Sequence, residues 1–330
     1  MNDKSVSRRQ FMHQAAATAA GVAIGLSAAQ ATESTSKILS YNPDMEYRRL
    51  GKTNIMVSAV GLGGHSRSND EERADIISRC MDAGINYIDA CWDNEVKRDA
   101  KALRGKRDKV YLALSHGAKE VRQEDFRTSK KLLGSLDELL RDSGQEYTDL
   151  WRITCLEPGG RHSFNTACEI VEALEKAKKQ GKARFVGFSS HDRRWIKFMI
   201  EYFPQIEVVC FPFTTMTKRA PKDSLFEALK QRDVGAFGIK PFAASSLFAH
   251  EDSEQDNRRG RLALRYILHS NTVVPIPGMN RPEEVENVIK AVAERRQLDV
   301  QERAELETMS RQAWAALPSH YQWLKNWQYV

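Results

Sequence analysis

The sequence predicts an α/β fold: a (β/α)8 TIM barrel with a β-hairpin at its N-terminal end and a helical, aromatic C-terminal extension. Three observations carry this prediction. From residue 45 onward, short β-rich runs alternate with helical runs in eight units of about 30 residues, the alternation that builds a parallel sheet with helices outside it. No Gly-rich dinucleotide fingerprint follows the first strand, which argues against a doubly wound sheet. The composition is globular, 41% hydrophobic and 28% charged, enough apolar side chains to fill a sizeable core. The net charge of +6 is spread along the chain among acids, as on a solvated surface, so nucleic acid is not an expected partner.

The elements follow in order. Residues 1–31 read as an export signal: Arg8 and Arg9 precede Phe11, a weakly apolar alanine-rich run carries no charge until Glu33, and Ala29-Gln30-Ala31 offers small residues for cleavage. The run is too short and too alanine-rich for a stable membrane span. It resembles a twin-arginine signal, whose route carries folded proteins, so a periplasmic or otherwise exported location is expected. Residues 32–44 read as a linker and residues 45–330 as the barrel.

Within the barrel, "MEYRRLGKTNIMVS" (45–58) alternates around Gly51-Lys52, as a hairpin closing the bottom would. Strands are expected at 56–64, 85–90, 110–115, 150–156, 183–190, 208–213, 234–242 and 272–278. Helical runs lie between them, with apolar residues spaced at helical intervals, as in Ile170, Leu174 and Ala177. The tail carries Trp314, Tyr321, Trp323, Trp327 and Tyr329. These rings must bury on the barrel wall, over its mouth, or against a second copy of the chain, which makes a homo-oligomer one expected assembly.

Barrels of this kind place chemistry at the C-terminal ends of their strands. "INYIDACWDNE" (85–95) runs from an apolar strand into Asp89, Cys91, Asp93, Asn94 and Glu95; of these, Asp93 and Glu95 are expected to be solvated turn residues. His65, His116, Cys155, Glu157, His191, Cys210 and Lys240 end other strands. Such a rim suits acid–base work, with His116 the sharpest individual candidate. It also suits a transition metal, although no tight ligand motif is present and no metal is assigned. The five cysteines are odd in number and lack CxxC spacing, so neither a disulfide framework nor a zinc ribbon is expected.

"YRRLGKTNIMVSAVGLGG", "GINYIDA", "EYTDLW", "KKQGKARFVGFSSH", "KPF" and "VVPIPGMNRPEEVEN" together resemble the aldo-keto reductase family in order and spacing, over roughly residues 45 to 295. The resemblance implies hydride transfer from NADPH to a carbonyl carbon, with a tyrosine acid, a lysine that lowers its pKa, an aspartate that holds the lysine and a histidine that orients the carbonyl. Carried over by position, Asp89 is the aspartate. The tyrosine position holds Asn94, which cannot donate a proton. The lysine position holds Ser115 with His116 beside it, and the histidine position holds Thr154. The catalytic set implied here is therefore Asp89, Asn94, His116 and Thr154.

For NADP, the resemblance points to Ser189 and Ser190 at the nicotinamide amide, to Lys240, Pro241 and Phe242 at the pyrophosphate, and to Arg281 and Asn287 at the adenosine phosphate. The cysteines that hold an iron–sulfur cluster in one bacterial branch are missing, so no cluster is expected. The implied substrate is a small carbonyl or sugar-like molecule. A non-redox lyase or isomerase, a metal-assisted enzyme, and a binding protein that has lost catalysis are the alternatives.

Overall fold

The computed structural model describes residues 38–155, 162–248 and 253–330. The expected signal at 1–31 and Glu157 lie outside the described residues. Residues 39–44, expected to be linker, are tied to the barrel: the Asn86 side chain donates to Leu39 O, Ser40 Oγ to Lys109 O and the Asn42 side chain to Asp82 O.

Strands β1 (Tyr47–Arg49) and β2 (Met56–Ser58) pair antiparallel around Gly51. Gly51 has φ +48, and a Cβ there would sit 2.3 Å from Gly235 N, so the turn requires glycine. Seven parallel strands follow in sequential order: β3 (Tyr87–Ala90), β4 (Tyr111–Leu114), β5 (Thr148–Thr154), β6 (Ala183–Ser189), β7 (Val208–Pro212), β8 (Gly235–Ile239) and β9 (Val274–Pro275). The run expected as one strand at 56–64 divides in two. Its first half joins the hairpin, and its second half bridges Leu62 to Ile88 and Gly63 to Gly278, which closes the ring between β3 and β9.

The helices are α1 (Asp70–Asp82), α2 (Asp93–Ala102), α3 (Ser129–Ser143), α4 (Phe164–Lys179), α5 (Arg193–Tyr202), α6 (Leu225–Arg232), α7 (Ser253–Ser270), α8 (Pro282–Ala293) and α9 (Val300–Ala315). Local chemistry sets several ends: Asn69 and Glu72 form a capping box on α1, Thr128 caps α3, and Gly144 at φ +63 stops it. Helix α9 belongs to the C-terminal extension, which the sequence predicts to be helical and aromatic. Its apolar periodicity is weak, but Asp299 and Glu302 form a second capping box. Among the described residues no helix is long and apolar enough to cross a membrane.

Alternation along the strands sorts side chains into two cores. Ile88, Leu112, Leu114, Trp151, Ile153 and Phe188 face the helices. Tyr87, Tyr111, Ala113, Leu150, Val208, Cys210, Phe237, Val274 and Ile276 fill the barrel, with Leu50 and Val57 of the hairpin plugging its base. Tyr87 and Phe237 stack across this interior at 3.9 Å. Above that apolar plug the interior turns polar.

Candidate active site

Two residues beyond Tyr87, the same alternation points Asp89 into the barrel. Two beyond Leu150, it points Arg152 inward to meet it. Arg152 Nε and Nη2 donate to the two carboxylate oxygens of Asp89 at 2.9 and 2.6 Å. Its Nη1 donates to Ser189 Oγ at 2.7 Å, and Nη2 also reaches Ser115 Oγ at 3.0 Å. Burial works against the Arg152 charge, but the facing Asp89 outweighs it and holds the guanidinium a cation far above its ordinary range. The ladder neighbour of Arg152 is Gly187, where a Cβ would lie 2.0 Å from Val208 O. Thr154, next inward on β5, is buried, and its Oγ1 has no hydrogen-bond partner among the described residues.

His65 and His191 look in on this pair. Trp92 Nε1 donates to His65 Nδ1 at 2.6 Å, which leaves the imidazole proton on Nε2. His65 is solvent-exposed as a residue, yet desolvation of its ring and the charge of Lys240 push its pKa down to about 4. It is therefore a neutral N–H donor at physiological pH. His191 stacks on Trp323 at 3.9 Å, and burial drives its pKa well below the usual value.

Lys240 ends β8 with a left-handed backbone, φ 58. Its Nζ lies 5.1 Å from the Tyr321 ring centre and 5.9 Å from that of Trp323, on the Cys91 and Cys210 side of the mouth. The aromatic tail thus settles over the mouth. Trp323 and Tyr321 cover Lys240, Trp327 stacks on Phe211 and donates to His191 O, and Val330 is pinned by backbone bonds to Lys218 and Ala220. Of the tail rings, Trp327 is buried against the chain's own barrel, Trp314, Tyr321 and Trp323 are half-buried, and Tyr329 is exposed.

Several expected residues lie elsewhere. Asn94 is exposed on α2 beside Asn69, Asp70, Lys97, Arg98 and Lys101, in a groove outside the mouth. His116 is buried but faces away from the Asp89 centre: Nδ1 accepts from Lys119 N and Nε2 sits 3.0 Å from Asp93 Oδ1. Burial lowers its pKa and Asp93 pulls it partly back. Glu95, expected to be a solvated turn residue, is 2% exposed. It accepts from Cys91 N and Ser66 N, and so ties together the loops that carry His65 and Trp92. Asp93 is half exposed, in keeping with a solvated turn residue, and its carboxylate also meets His116. Cys155 is buried on the helix side, close to Glu120 and Trp195, and its thiol is pushed far up by burial. His65, His116, Cys155 and His191 therefore do not converge, and among the described residues no group of three or more His, Cys, Asp or Glu side chains is placed to hold a metal.

Sequence reasoning missed Arg152, although the signal was there: a lone cation in an apolar strand, in phase with the inward-facing Leu150 and Thr154. It also missed Glu120, a carboxyl with no exposed surface that accepts from Thr154 N at 2.6 Å and Trp151 Nε1 at 3.2 Å. Desolvation raises its pKa to about 7.

The sequence pattern of the Aldo/keto reductase family matches residues 55–261. This chain belongs to the aldo/keto reductase family. It is 25% identical over 226 residues to L-glyceraldehyde 3-phosphate reductase of Escherichia coli K12, a match covering 62% of this chain and 63% of that protein. Against L-galactose dehydrogenase of Arabidopsis thaliana it is 22% identical over 287 residues, covering 76% and 89%. Among solved structures, an aldo-keto reductase from Bacillus halodurans in its holo form superposes with a TM-score of 0.65 at 22% identity, over 84% of this chain and 99% of that one. An aldo-keto reductase from Klebsiella pneumoniae in complex with NADP and acetate gives 0.62 at 18%, over 80% and 94%. At these identities the structural likeness shows the shared barrel.

The residues of this family member fit a phosphorylated dinucleotide at its phosphate groups. In the loop after β8, turns consume the N–H groups of Ala243, Ser246, Leu247 and Phe248. Ala244 and Ser245, both left-handed at φ 56 and 68, keep N–H groups with no backbone acceptor among the described residues, a donor pair suited to an anion. Pro241 is buried, and Phe242 packs on the core and on Phe248 at 5.0 Å, which holds this loop in place. Arg281 stands exposed at the N-cap of α8, 3.1 Å from Glu284. Asn287 is spent: it accepts from Arg261 and donates to Asn257 O, fastening α8 to α7. Ser190 Oγ accepts from Asp192 N at 3.0 Å and keeps its own proton to donate.

Proposed function

We propose that this chain is an NADP-dependent oxidoreductase that reduces a small carbonyl or sugar-like substrate at the barrel mouth. We further propose that it is exported by the twin-arginine route with cofactor already bound. One observation carries the reading. The inward carboxylate of the family, Asp89, is kept and matched by a cation, Arg152, supplied from a different strand. The polar centre of the mouth is thereby rebuilt.

When bound, the dinucleotide supplies the hydride. Ala244 N, Ser245 N and Arg281 would hold its phosphates, and Ser189 and Ser190 would meet its amide end. The Asp89–Arg152 pair is too tightly engaged to move a proton and acts as a fixed dipole. His65 Nε2–H is the donor that can orient a carbonyl oxygen, because a neutral imidazole hydrogen-bonds without first losing a proton to solvent. Thr154 Oγ1, buried and without a hydrogen-bond partner among the described residues, is the next inward side chain beyond Arg152 on β5 and would be a second donor. Negative charge forming on that oxygen is stabilised by the field of Lys240, and the tail rings exclude water.

NADPH binding to the purified chain, followed by energy transfer from its tryptophans, tests the reading. Binding with a Kd on the order of 1 μM is expected; no binding at about 1 mM removes the reductase assignment. Given a carbonyl substrate found by screening, His65→Ala is expected to lower turnover ~100-fold, the usual cost of one oxyanion donor.

A further inference from the structure

We propose that the base of the barrel, at the end away from the mouth, carries a second binding site, for a carboxylate with a short hydrocarbon body. No residue of the mouth takes part, so the site stands independently of the reductase reading.

The site begins with a gap in the sheet. Strand β8 pairs with β9 only at Phe237–Val274 and Gly238–Pro275. Along a parallel strand, successive residues turn their backbone groups to opposite neighbours. Gly235 N donates to Glu207 O on the β7 side, and Gly238 O accepts from Ile276 N on the β9 side. Ala236, in phase with Gly238, therefore turns its N–H toward β9. One more rung would give it the carbonyl of Thr272. That rung is missing, because the chain reaches β9 through a left-handed turn at Asn271, φ 50. Ala236 is 7% exposed, and its N–H has no acceptor among the described residues. A buried backbone donor left in that state is uncommon. On the far side of the gap Arg48 is fully engaged, its Nη1 and Nη2 donating to Val273 O and Leu268 O at 3.4 and 3.1 Å and its Nε to Glu46.

Ala236 lines a cavity of about 690 Å³ between the hairpin, α6 and the approach to β9, a volume usual for small-ligand sites. Leu50, Phe226, Leu229, Val234, Val273 and Val274 give it apolar walls. Its charged lining is lopsided, with Arg48, Arg49, Arg219 and Lys230 set against Glu46 and Asp233. Both acids are already paired, Glu46 with Arg48 and Arg296, and Asp233 with Arg49. Lys230 has no ion-pair partner among the described residues, and Arg219 meets the exposed Glu227 across 2.8 Å of solvated surface. The complement of this lining is an anion. A carboxylate brings the missing negative charge and acceptor oxygens in one group, and its hydrocarbon body takes the apolar walls out of water. An amine of the same shape would meet surplus cations and could offer Ala236 no acceptor.

The test is calorimetric titration of the full chain with octanoate, with octylamine as its cationic counterpart. Octanoate is expected to bind with a Kd below about 1 mM and octylamine at least ~5-fold more weakly. No octanoate binding at about 10 mM overturns the site, and octylamine binding as tightly as octanoate overturns the charge argument. The backbone amide spectrum gives the position: octanoate is expected to move the Ala236 N–H resonance. Shifts confined to the mouth, as at Trp323, would refute a base site. Lys230→Glu combined with Arg219→Gln changes two exposed side chains. The double variant is expected to weaken octanoate at least ~5-fold while NADPH binding stays as it was. Undiminished octanoate affinity in that variant counts against the proposal. Because the titration needs no cofactor, loss of the reductase reading and loss of the base site are read separately.

Discussion

Two buried Arg–Asp pairs in this molecule have nearly the same geometry and different meanings. Arg73 of α1 grips Asp99 of α2 through Nε and Nη2 at 2.6 and 2.8 Å, both side chains 1% exposed. Arg152 of β5 grips Asp89 of β3 at 2.9 and 2.6 Å, at 6% and 3%. The first joins two helices on the outer layer, and its Nη1 has no hydrogen-bond partner among the described residues. The second stands inside the barrel, where Ser115 and Ser189 each accept one further N–H and His65 looks in from the rim. A buried ion pair is weak evidence for stability by itself. What distinguishes a staple from a site is the shell: one pair is walled by helices, the other by hydroxyls and imidazoles.

The largest expected effect breaks the comparison directly. Asp99→Ala and Arg152→Ala each strand a buried charge and are expected to cost about 3–5 kcal/mol in urea unfolding. Replacing both partners by apolar residues separates the two cases. Arg73→Met with Asp99→Leu is expected to unfold near the wild-type midpoint and to bind NADPH normally. Arg152→Met with Asp89→Leu is expected to fold as well, yet to lose at least ~10-fold in carbonyl reduction. Equal loss of activity in both double variants would mean that the mouth pair is only a second staple.

A middle-sized effect sharpens the boundary just behind the mouth. Glu120 binds its proton more tightly folded, with a pKa of about 7, than unfolded, at 4.5. Its contribution is complete below 4.5 and is lost as pH rises towards and through 7, on the order of 3 kcal/mol in all. Histidines whose folded pKa is depressed, His65 and His191, act the other way and lose stability as pH falls below 6.5. Glu120→Gln should therefore remove the decline with rising pH and leave the histidine slope bare in a series of urea titrations. An unchanged profile would refute the buried-acid assignment.

The smallest effect is at the barrel base, where Arg49 and Asp233 pair at 2.6 Å with both side chains about half exposed. Arg49→Ala is expected to shift stability by no more than about 1 kcal/mol, fading in salt. A larger loss would show that the hairpin plug depends on this contact.

Much of the barrel was legible in the chain because strand and helix periods are local. Ile170, Leu174 and Ala177 mark the buried face of α4, and Gly144 and Asn69 punctuate helix ends through their own backbone and side-chain chemistry. The site was legible only at positions fixed by strand parity. Asp89 and Thr154 point inward as expected, since alternation fixes direction. Asn94 and His116 did not join them: each lies beyond a strand end, where direction depends on how the following loop packs. His116 was turned by Lys119 N and Asp93, and Asn94 was carried out to solvent on α2.

What the sequence determined alone was the repeating pattern, the apolar interior and the presence of one acid and one arginine in inward phase on two separate strands. Tertiary structure decided that these two meet, because β3 and β5 both pair with β4, and their inward side chains reach across it to one another. It also decided that the tail folds back over Lys240 rather than onto another surface. The environment that sets a lysine's proton affinity is assembled from loops and a terminus far apart in sequence, and desolvation is a property of that assembled volume, not of any residue in it.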